Sequence, residues 1–245
     1  LFIFSEERLS WDYNLWILNN FKNFRKRHIM NCKIITTASD ISKTEMLQKS
    51  LNKYVWDYEI LVHKWEGFGC KILETYKYLK NNPDIKYFFY SDSYDTIVLD
   101  TMENTLSKIK DKDCILMSAE RACYPHPEKE ARYPKHVSPW HFVNGGGWFC
   151  NAEIFKMAVE TNPLTVHDVD QVWFTDLFLN HPEYVKLDYN CDVFQTIAFC
   201  PESDFQRIPD FYLNTEYILN TVTKSTPTFI HGNGHTPMTK FYELL

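Results

Sequence analysis

Two aspartates at the end of an apolar run are the first residues that could do chemistry. In "FFYSDSYDTIVLD", residues 88–100, Phe88, Phe89 and Tyr90 want a core, and Asp92 and Asp95 follow at once. Carboxylates so close to an apolar segment cost desolvation energy unless something positive meets them. Two other residues also stand at strand ends: Glu120 follows "ILMSA" and His231 follows "TFI". In open parallel sheets, ligands sit beyond the carboxyl ends of the strands. Two carboxylates and an imidazole suit a hard-to-borderline divalent ion such as Mn2+. That ion would neutralise a diphosphate and activate it as a leaving group. Each residue also has a structural alternative. Asp92 and Asp95 can cap a turn, His231 can be a satisfied core histidine, and Tyr94 can pack in the core or stack on a ligand ring.

Charges near helix starts add to the set. Lys71 falls in the first turn of an expected helix, where a cation opposes the helix dipole, so a nearby anion would account for it. Asp168 reads as a helix cap, with Gln171 completing a capping box. Asp170 then lies in the first turn, where a negative charge is favourable anyway. The seven glycines fall in three places: Gly67 and Gly69, Gly145 to Gly147, and Gly232 with Gly234. No helix or strand interior is expected to carry one. Lys71, Asn144 and His231 adjoin the three clusters. The reading preferred over three plain turns is three loops converging on one ligand, with backbone N–H groups turned to phosphate oxygens.

These residues need a scaffold, and the pattern supplies one. "KIITTA", 33–38, is a β-branched run, and residues 40–54 show helical spacing. "YEILVH", 58–63, is a second strand, and an amphipathic helix starts at Cys70. "IKYFFYSD" is a third strand, buried on both faces by its continuous apolar character. "ENTLSKIK" is a short helix and "CILMSAE", 114–120, a fourth strand. The alternation argues for an α/β fold with a mostly parallel central sheet flanked by helices. Further on, "WHFVNGGGWF" is a strand with a glycine break, and Asn151 caps a helix over 151–160. A helix over 168–180 and a late strand in "TFIHGNG" follow. Residues 121–139, rich in Pro and charge, read as a surface loop forming a lid or rim.

Composition excludes several classes. With 44% hydrophobic residues the chain can build a sizeable core, and 24% charged residues argue against a long disordered chain. A net charge of -6 argues against a general nucleic-acid binder. The one dense basic stretch, "KNFRKRH" at 22–28, reads as a solvated helix face. No apolar run approaches the ~18 residues of a membrane span. Seven cysteines without a Cys-x-x-Cys pair weaken a zinc or thioredoxin reading and favour mostly reduced, buried thiols.

Six segments then fall into a known order. "YSDSYDTIV", "MSAERACYP", "FVNGGGWFC", "DVDQVWFTDLFLN", "LDYNCDVFQ" and "FIHGNG" occur as they do in the glycosyltransferase domain of the collagen (procollagen) lysyl hydroxylase family. The chain resembles that domain over about residues 33–240. The resemblance implies a GT-A-like, single nucleotide-sugar-binding domain over 32–245, preceded by an N-terminal helical extension at 1–31. It implies that Asp92, Asp95 and His231 bind Mn2+ on a UDP diphosphate, that Tyr94 stacks on uracil, and that Lys71 faces the donor. Tyr124 would lie by the sugar and acceptor site, where human members of the family can carry Trp. Asp168 and Asp170 would be the catalytic carboxylates, with Val169 between them where the family can have another Asp. Thr37 is a nucleotide contact on a loose match. Asn144, Gly146, Gly232 and Gly234 are placed around the donor. The family's Pro-Thr-Lys after "HGNG" reads "HTPMTK" here, so a lysine contact to the diphosphate passes to Lys240 or is absent.

The activity so implied is Mn2+-dependent transfer of glucose from UDP-glucose to galactosyl-hydroxylysine of a collagen-like protein, with retention at the anomeric carbon. Transfer of galactose from UDP-galactose to hydroxylysine is the alternative. An inactive nucleotide-sugar or collagen-binding module is a third reading. Lysyl hydroxylase activity is not implied, because that chemistry belongs to a separate iron domain of the family. The expected partners are a UDP-sugar and the collagen-like acceptor, with no nucleic acid and no membrane span; a homodimer is also left open. The resemblance points to the secretory-pathway lumen, although "LFIF" running into "SEER" does not read as a signal peptide.

Overall fold

The computed structural model describes residues 31–210 and 215–245. The basic stretch at 22–28 and the expected helical extension at 1–31 lie outside those residues, apart from Asn31. The centre is a six-stranded sheet in the order β2-β1-β3-β6-β5-β7. Its strands are β1 (Cys32–Ala38), β2 (Tyr58–Val62), β3 (Tyr87–Ser91), β5 (Ile115–Glu120), β6 (Phe142–Asn151) and β7 (Val185–Leu187). Strand β1 pairs parallel with β2 and β3, and β5 parallel with β7. Strand β6 runs antiparallel between β3 and β5. The expected order of four successive parallel strands is therefore interrupted: the third and fourth do not touch, and the glycine-bearing strand lies between them.

A second sheet of three strands has the order β4-β11-β8, built from β4 (Thr96–Val98), β8 (Phe194–Thr196) and β11 (Phe229–His231). Strand β11 pairs parallel with β8 and antiparallel with β4. Strands β9 (Phe205–Asp210) and β10 (Thr215–Asn220) form a separate antiparallel pair. The helices are α1 (Glu45–Lys53), α2 (Cys70–Asn81), α3 (Met102–Lys108), α4 (Ala152–Thr161), α5 (Asp170–Asn180) and α6 (Thr239–Tyr242). None among the described residues is long and apolar enough to cross a membrane.

Apolar periodicity decides which faces are covered. Helix α2 buries Ile72 and Leu79, and α4 buries Phe155, Ala158 and Val159. On the sheet, Tyr90 stacks on Trp148 with ring centroids 3.8 Å apart, and Phe88 meets Phe155 edge-on at 5.2 Å. Truncating such a buried aromatic to alanine costs about 3–5 kcal/mol. Asn151 ends β6 and caps α4, accepting from the amides of Glu153 and Ile154; an Ala there would cost about 1 kcal/mol.

Helix α5 starts differently from the expected capping box. It begins at Asp170, after Val169, with no side-chain cap. The Asp168 carboxylate instead accepts from Thr165 N at 2.6 Å and Thr165 Oγ1 at 2.8 Å, closing the preceding turn. The glycines also depart from expectation. Gly145, Gly146 and Gly147 lie inside β6, against the expectation that no strand interior carries a glycine, while the expected break shows in the pairing with β5, which skips from Asn144 to Trp148. What they supply is closeness, since a side chain there would strike neighbouring elements, while positive φ among the glycines is confined to Gly67 and Gly234. All seven cysteines are free.

Candidate active site

Three strand ends build the site. Asp92 follows β3, Asp95 precedes β4, and His231 closes β11. His231 stands opposite Thr96 in the β4–β11 ladder, which sets it beside Asp95. Gly232 N donates to Asp95 O at 2.8 Å, and Asp92 N donates to Gly146 O at 2.8 Å. His231 Nε2 lies 3.5 Å from Asp95 Oδ1 and 3.7 Å from Asp92 Oδ2. One ligand atom from each of the three residues falls within 4.8 Å of the others, so the group could hold a metal ion.

Two features fit the trio to a cation. Asn144 Oδ1 accepts from His231 Nδ1 at 3.2 Å and from Gly146 N at 3.0 Å. Because that oxygen cannot donate, the proton sits on Nδ1, and Nε2 is left facing the carboxylates. Gly146 gives the imidazole its room: a Cβ there would lie 2.1 Å from His231 Cε1 and 2.9 Å from Asp92 Oδ2. Burial alone would lower the His231 pKa, but Asp95 and Asp92 outweigh it and hold the imidazole above its usual value. Burial would raise Asp95, yet His231 and Lys71 keep it below the ordinary carboxylate range.

Lys71 supplies the second positive charge. Its Nζ lies 2.7 Å from Asp92 Oδ1 and 3.0 Å from Asp170 Oδ2, with the ammonium almost wholly enclosed. The anion that its place in the first turn of α2 called for is thus provided by the protein itself. Burial opposes the charge, but Asp92 and Asp170 together hold the lysine well above its normal pKa. Asp170 is only 4% exposed. Burial pushes its carboxyl upward and Lys71 pulls it back.

Lys71, Asp92 and Asp95 border a cavity of about 540 Å³, whereas their buried partners His231 and Asp170 do not line it. Thr37, Lys71, Tyr94 and Gly232 line it with Asp92 and Asp95. Tyr94 OH accepts from Ser39 N at 2.8 Å and Asp40 N at 2.9 Å, which pins the phenol over the end of β1. Thr37 Oγ1 is already bonded to Tyr90 OH at 2.8 Å.

Several expected residues take other places. Asp168 is exposed, engaged with Thr165 and absent from the cavity lining. Tyr124 is 69% exposed and does not line the cavity; its carbonyl accepts from Gln171 Nε2 at 2.7 Å. Gly234 serves a turn at φ 64 beside the cavity wall. Lys240 pairs with Glu202 and does not reach the cavity. The expected use of glycine amides for phosphate also changes. The N–H groups of Gly69, Gly145, Gly146 and Gly232 are occupied by Val166 O, Gln171 Oε1, Asn144 Oδ1 and Asp95 O.

Two rings and the bonding of the strand-end Glu120 add to what the sequence shows. Trp65 and Phe68 meet edge-on at 5.2 Å on the cavity wall; a tryptophan beside the first glycine pair was the available signal. Glu120 accepts from Gln171 and, at 2.7 Å, from Asn233 Nδ2, so two amides from distant segments converge on one buried carboxyl. Burial pushes that carboxyl up to about 7 despite those bonds.

A mostly parallel sheet with Asp92 at a strand end, beside a smaller sheet that brings Asp95 and His231 to it, has the architecture of a GT-A-type glycosyltransferase. A family profile described as "PLOD GT domain" matches residues 28–242. The chain belongs to that family, the glycosyltransferase domains of procollagen-lysine hydroxylases. It is 31% identical over 176 residues to the procollagen-lysine,2-oxoglutarate 5-dioxygenase of Drosophila melanogaster, covering 69% of this chain and 24% of that protein. It is 28% identical over 180 residues to procollagen-lysine,2-oxoglutarate 5-dioxygenase 1 of Rattus norvegicus, covering 70% and 24%. An uncharacterized protein of Acanthamoeba polyphaga mimivirus is 31% identical over 172 residues, 69% of this chain and 36% of its own length. The chain therefore spans about a quarter to a third of these relatives. Among solved structures, a glycosyltransferase involved in glycosylation of the major capsid of PBCV-1 aligns with a TM-score of 0.51 at 13% identity, over 86% of this chain and 97% of that one. The latter likeness is one of fold. The homodimer expectation finds no support in the single chain.

Proposed function

We propose that the chain is a Mn2+-dependent glucosyltransferase that moves glucose from UDP-glucose to galactosyl-hydroxylysine of a collagen-like protein. The observation that carries this reading is the gathering of His231 with Asp92 and Asp95, two carboxylates that line one cavity together with Tyr94 and Trp65. The aromatic rings suit a nucleobase, and the oxygen-rich trio suits a hard divalent ion over a diphosphate. Held by Asp92, Asp95 and His231, that ion would supply the positive charge that eases departure of UDP.

The chain's own groups do the rest. Tyr94 and Trp65 hold the base, and Asn144 fixes the imidazole's tautomer and aim. Of the two expected carboxylates we assign Asp170, which pairs with Lys71 on the cavity wall, to the sugar, either facing the positive charge that grows on its ring or orienting the acceptor hydroxyl. Lys71 opposes the upward push that burial exerts on the Asp170 carboxyl. Asp168 is bound to its own turn and has no part in the transfer.

Incubation with Mn2+, each UDP-sugar, and bare or galactosylated hydroxylysine peptides tests the assignment by UDP release. UDP-glucose with the galactosylated peptide is the pair expected to turn over. Turnover only with UDP-galactose and the bare peptide would replace it by galactosyl transfer. No turnover with any pair, together with Mn2+-dependent UDP binding, would leave a binding module.

A further inference from the structure

Phe199 joins an exposed apolar side chain to a left-handed backbone, as Val55 does just past the end of α1, but Phe199 does so beside the cation trio. Its ring is 77% exposed, and its backbone lies at φ 59. That region is unfavourable for a bulky L side chain and persists only where the surroundings impose it. An exposed ring gains little from burial, so packing of its own side chain does not offset the strain. The surroundings do impose it. Phe199 O accepts from Arg121 Nη1 at 3.3 Å. The Arg121 guanidinium lies 4.3 Å from the centre of the Trp140 ring and pairs with Asp204. On the other side, Ala198 N donates to Asn233 Oδ1 at 2.9 Å, and Asn233 Nδ2 reaches Glu120.

Its position is at the same edge as the cation trio. Strands β8 and β11 run parallel, with Thr196 opposite His231, and Phe199 lies three residues beyond Thr196. Neighbouring strands lie about 4.8 Å apart and each residue spans at most about 3.5 Å, so the two backbones are within roughly 15 Å. Phe199 does not line the nucleotide cavity. A second exposed ring, Tyr124, is held to the same network, its carbonyl bonded to the Gln171 amide that also reaches Glu120. Both rings thus belong to the network beside the trio and stand outside the donor's cavity.

We propose that Phe199 is an acceptor platform, its ring receiving the C–H face of the hexose that the acceptor already carries. This rests on the glycosyltransferase reading with a galactosylated acceptor. The negative face of an aromatic ring attracts the weakly positive C–H groups of a pyranose, and a two-torsion side chain loses little freedom on binding. The left-handed backbone, braced from both sides, holds the ring outward before the acceptor arrives.

Phe199→Gly tests it, because glycine adopts this φ without strain. The expected result is a five-fold or larger rise in KM for the galactosylated hydroxylysine peptide. UDP affinity by calorimetry stays at the wild-type value, and Tm is no lower than wild type. Phe199→Trp keeps the wild-type KM. An unchanged KM in the glycine variant overturns the proposal, as does a lowered Tm with loss of UDP binding, which marks a structural role. An equal rise in the inhibition constant of a bare hydroxylysine peptide also overturns it, since the ring then meets peptide and not sugar. A wild type that transfers to no acceptor removes the glycosyltransferase reading and the platform with it. A wild type that transfers, beside an unaffected glycine variant, removes the platform alone.

Discussion

Replacing Gly146 by alanine adds one methyl group where the structure has no room for it. The new Cβ would stand 2.1 Å from His231 Cε1, 2.8 Å from Nδ1 and 2.9 Å from Asp92 Oδ2. Ordinary carbon contacts begin near 3.5 Å, so the imidazole has to retreat by more than about 1 Å. It cannot retreat freely: it is 6% exposed, and its Nδ1 is tied to Asn144. Overpacking of this kind costs about 1–3 kcal/mol of stability. The larger effect falls on the cation, because displacing one ligand or its support weakens metal affinity about 10–100-fold. Mn2+ titration followed by paramagnetic resonance reads that loss directly, and a thermal melt in chelator reads the folding cost. Gly147→Ala is the control, since its Cβ would press on Phe194 at 3.0 Å and on none of the three ligands. A folded Gly146→Ala protein that binds Mn2+ as tightly as wild type would refute the assignment of His231 and Asp92 to one metal.

Three further outcomes follow from the same geometry. Lys71→Met removes the one lysine between Asp92 and Asp170, and an uncompensated buried charge of this kind costs about 3–5 kcal/mol; urea denaturation of Lys71→Met, and of the double variant with Asp170→Asn, should show the second change recovering much of the loss. Tyr94→Ala should weaken UDP binding by about 5–150-fold through lost stacking, whereas Tyr94→Phe, which keeps the ring and loses only the bonds to Ser39 and Asp40, should weaken it far less. Burial pushes the Asp188 carboxyl up to about 6, even though it accepts from the amides of Asp192, Val193 and Phe194. The folded state then holds a proton that the unfolded chain has released, so this residue's contribution is present below about pH 4 and is lost as pH rises through about 6, by an amount on the order of 3 kcal/mol; the same melts in Asp188→Asn should lack that part of the pH dependence.

The strands and helices were legible where one signal dominated. The β-branched run "KIITTA" and the apolar run "YFFYS" became β1 and β3, and the spacing of Ile72 and Leu79 fixed the inner face of α2. Three-residue strands were harder: "TIV" at 96–98 carries no period of its own and is defined by its ladder with β11. The acid pair and the histidine could be read because each stood at a strand end. Asp168 misled because Asp followed three residues later by Gln matches a capping box in composition, and only the fold shows that Gln171 serves Gly145, Glu120 and Tyr124 instead. The glycine triplet does break the strand's pairing, since the β6 ladder to β5 jumps from Asn144 to Trp148 across it, but a sequence does not reveal what approaches the strand there. Here it is the imidazole of His231.

The placement of β6 has a thermodynamic consequence. Asp92 extends from the six-stranded sheet, while Asp95 and His231 belong to the three-stranded one, and Gly146 lies where the two meet. A cation that bridges them can bind only to a chain in which both sheets have formed and docked, because the unfolded polypeptide offers no such grouping. Its binding energy is then added in full to the free energy of unfolding, by about 2.7 kcal/mol at a concentration one hundred times its dissociation constant. The ion would act as a rivet through a seam, so the concentration of free metal around the protein would set how readily that seam opens.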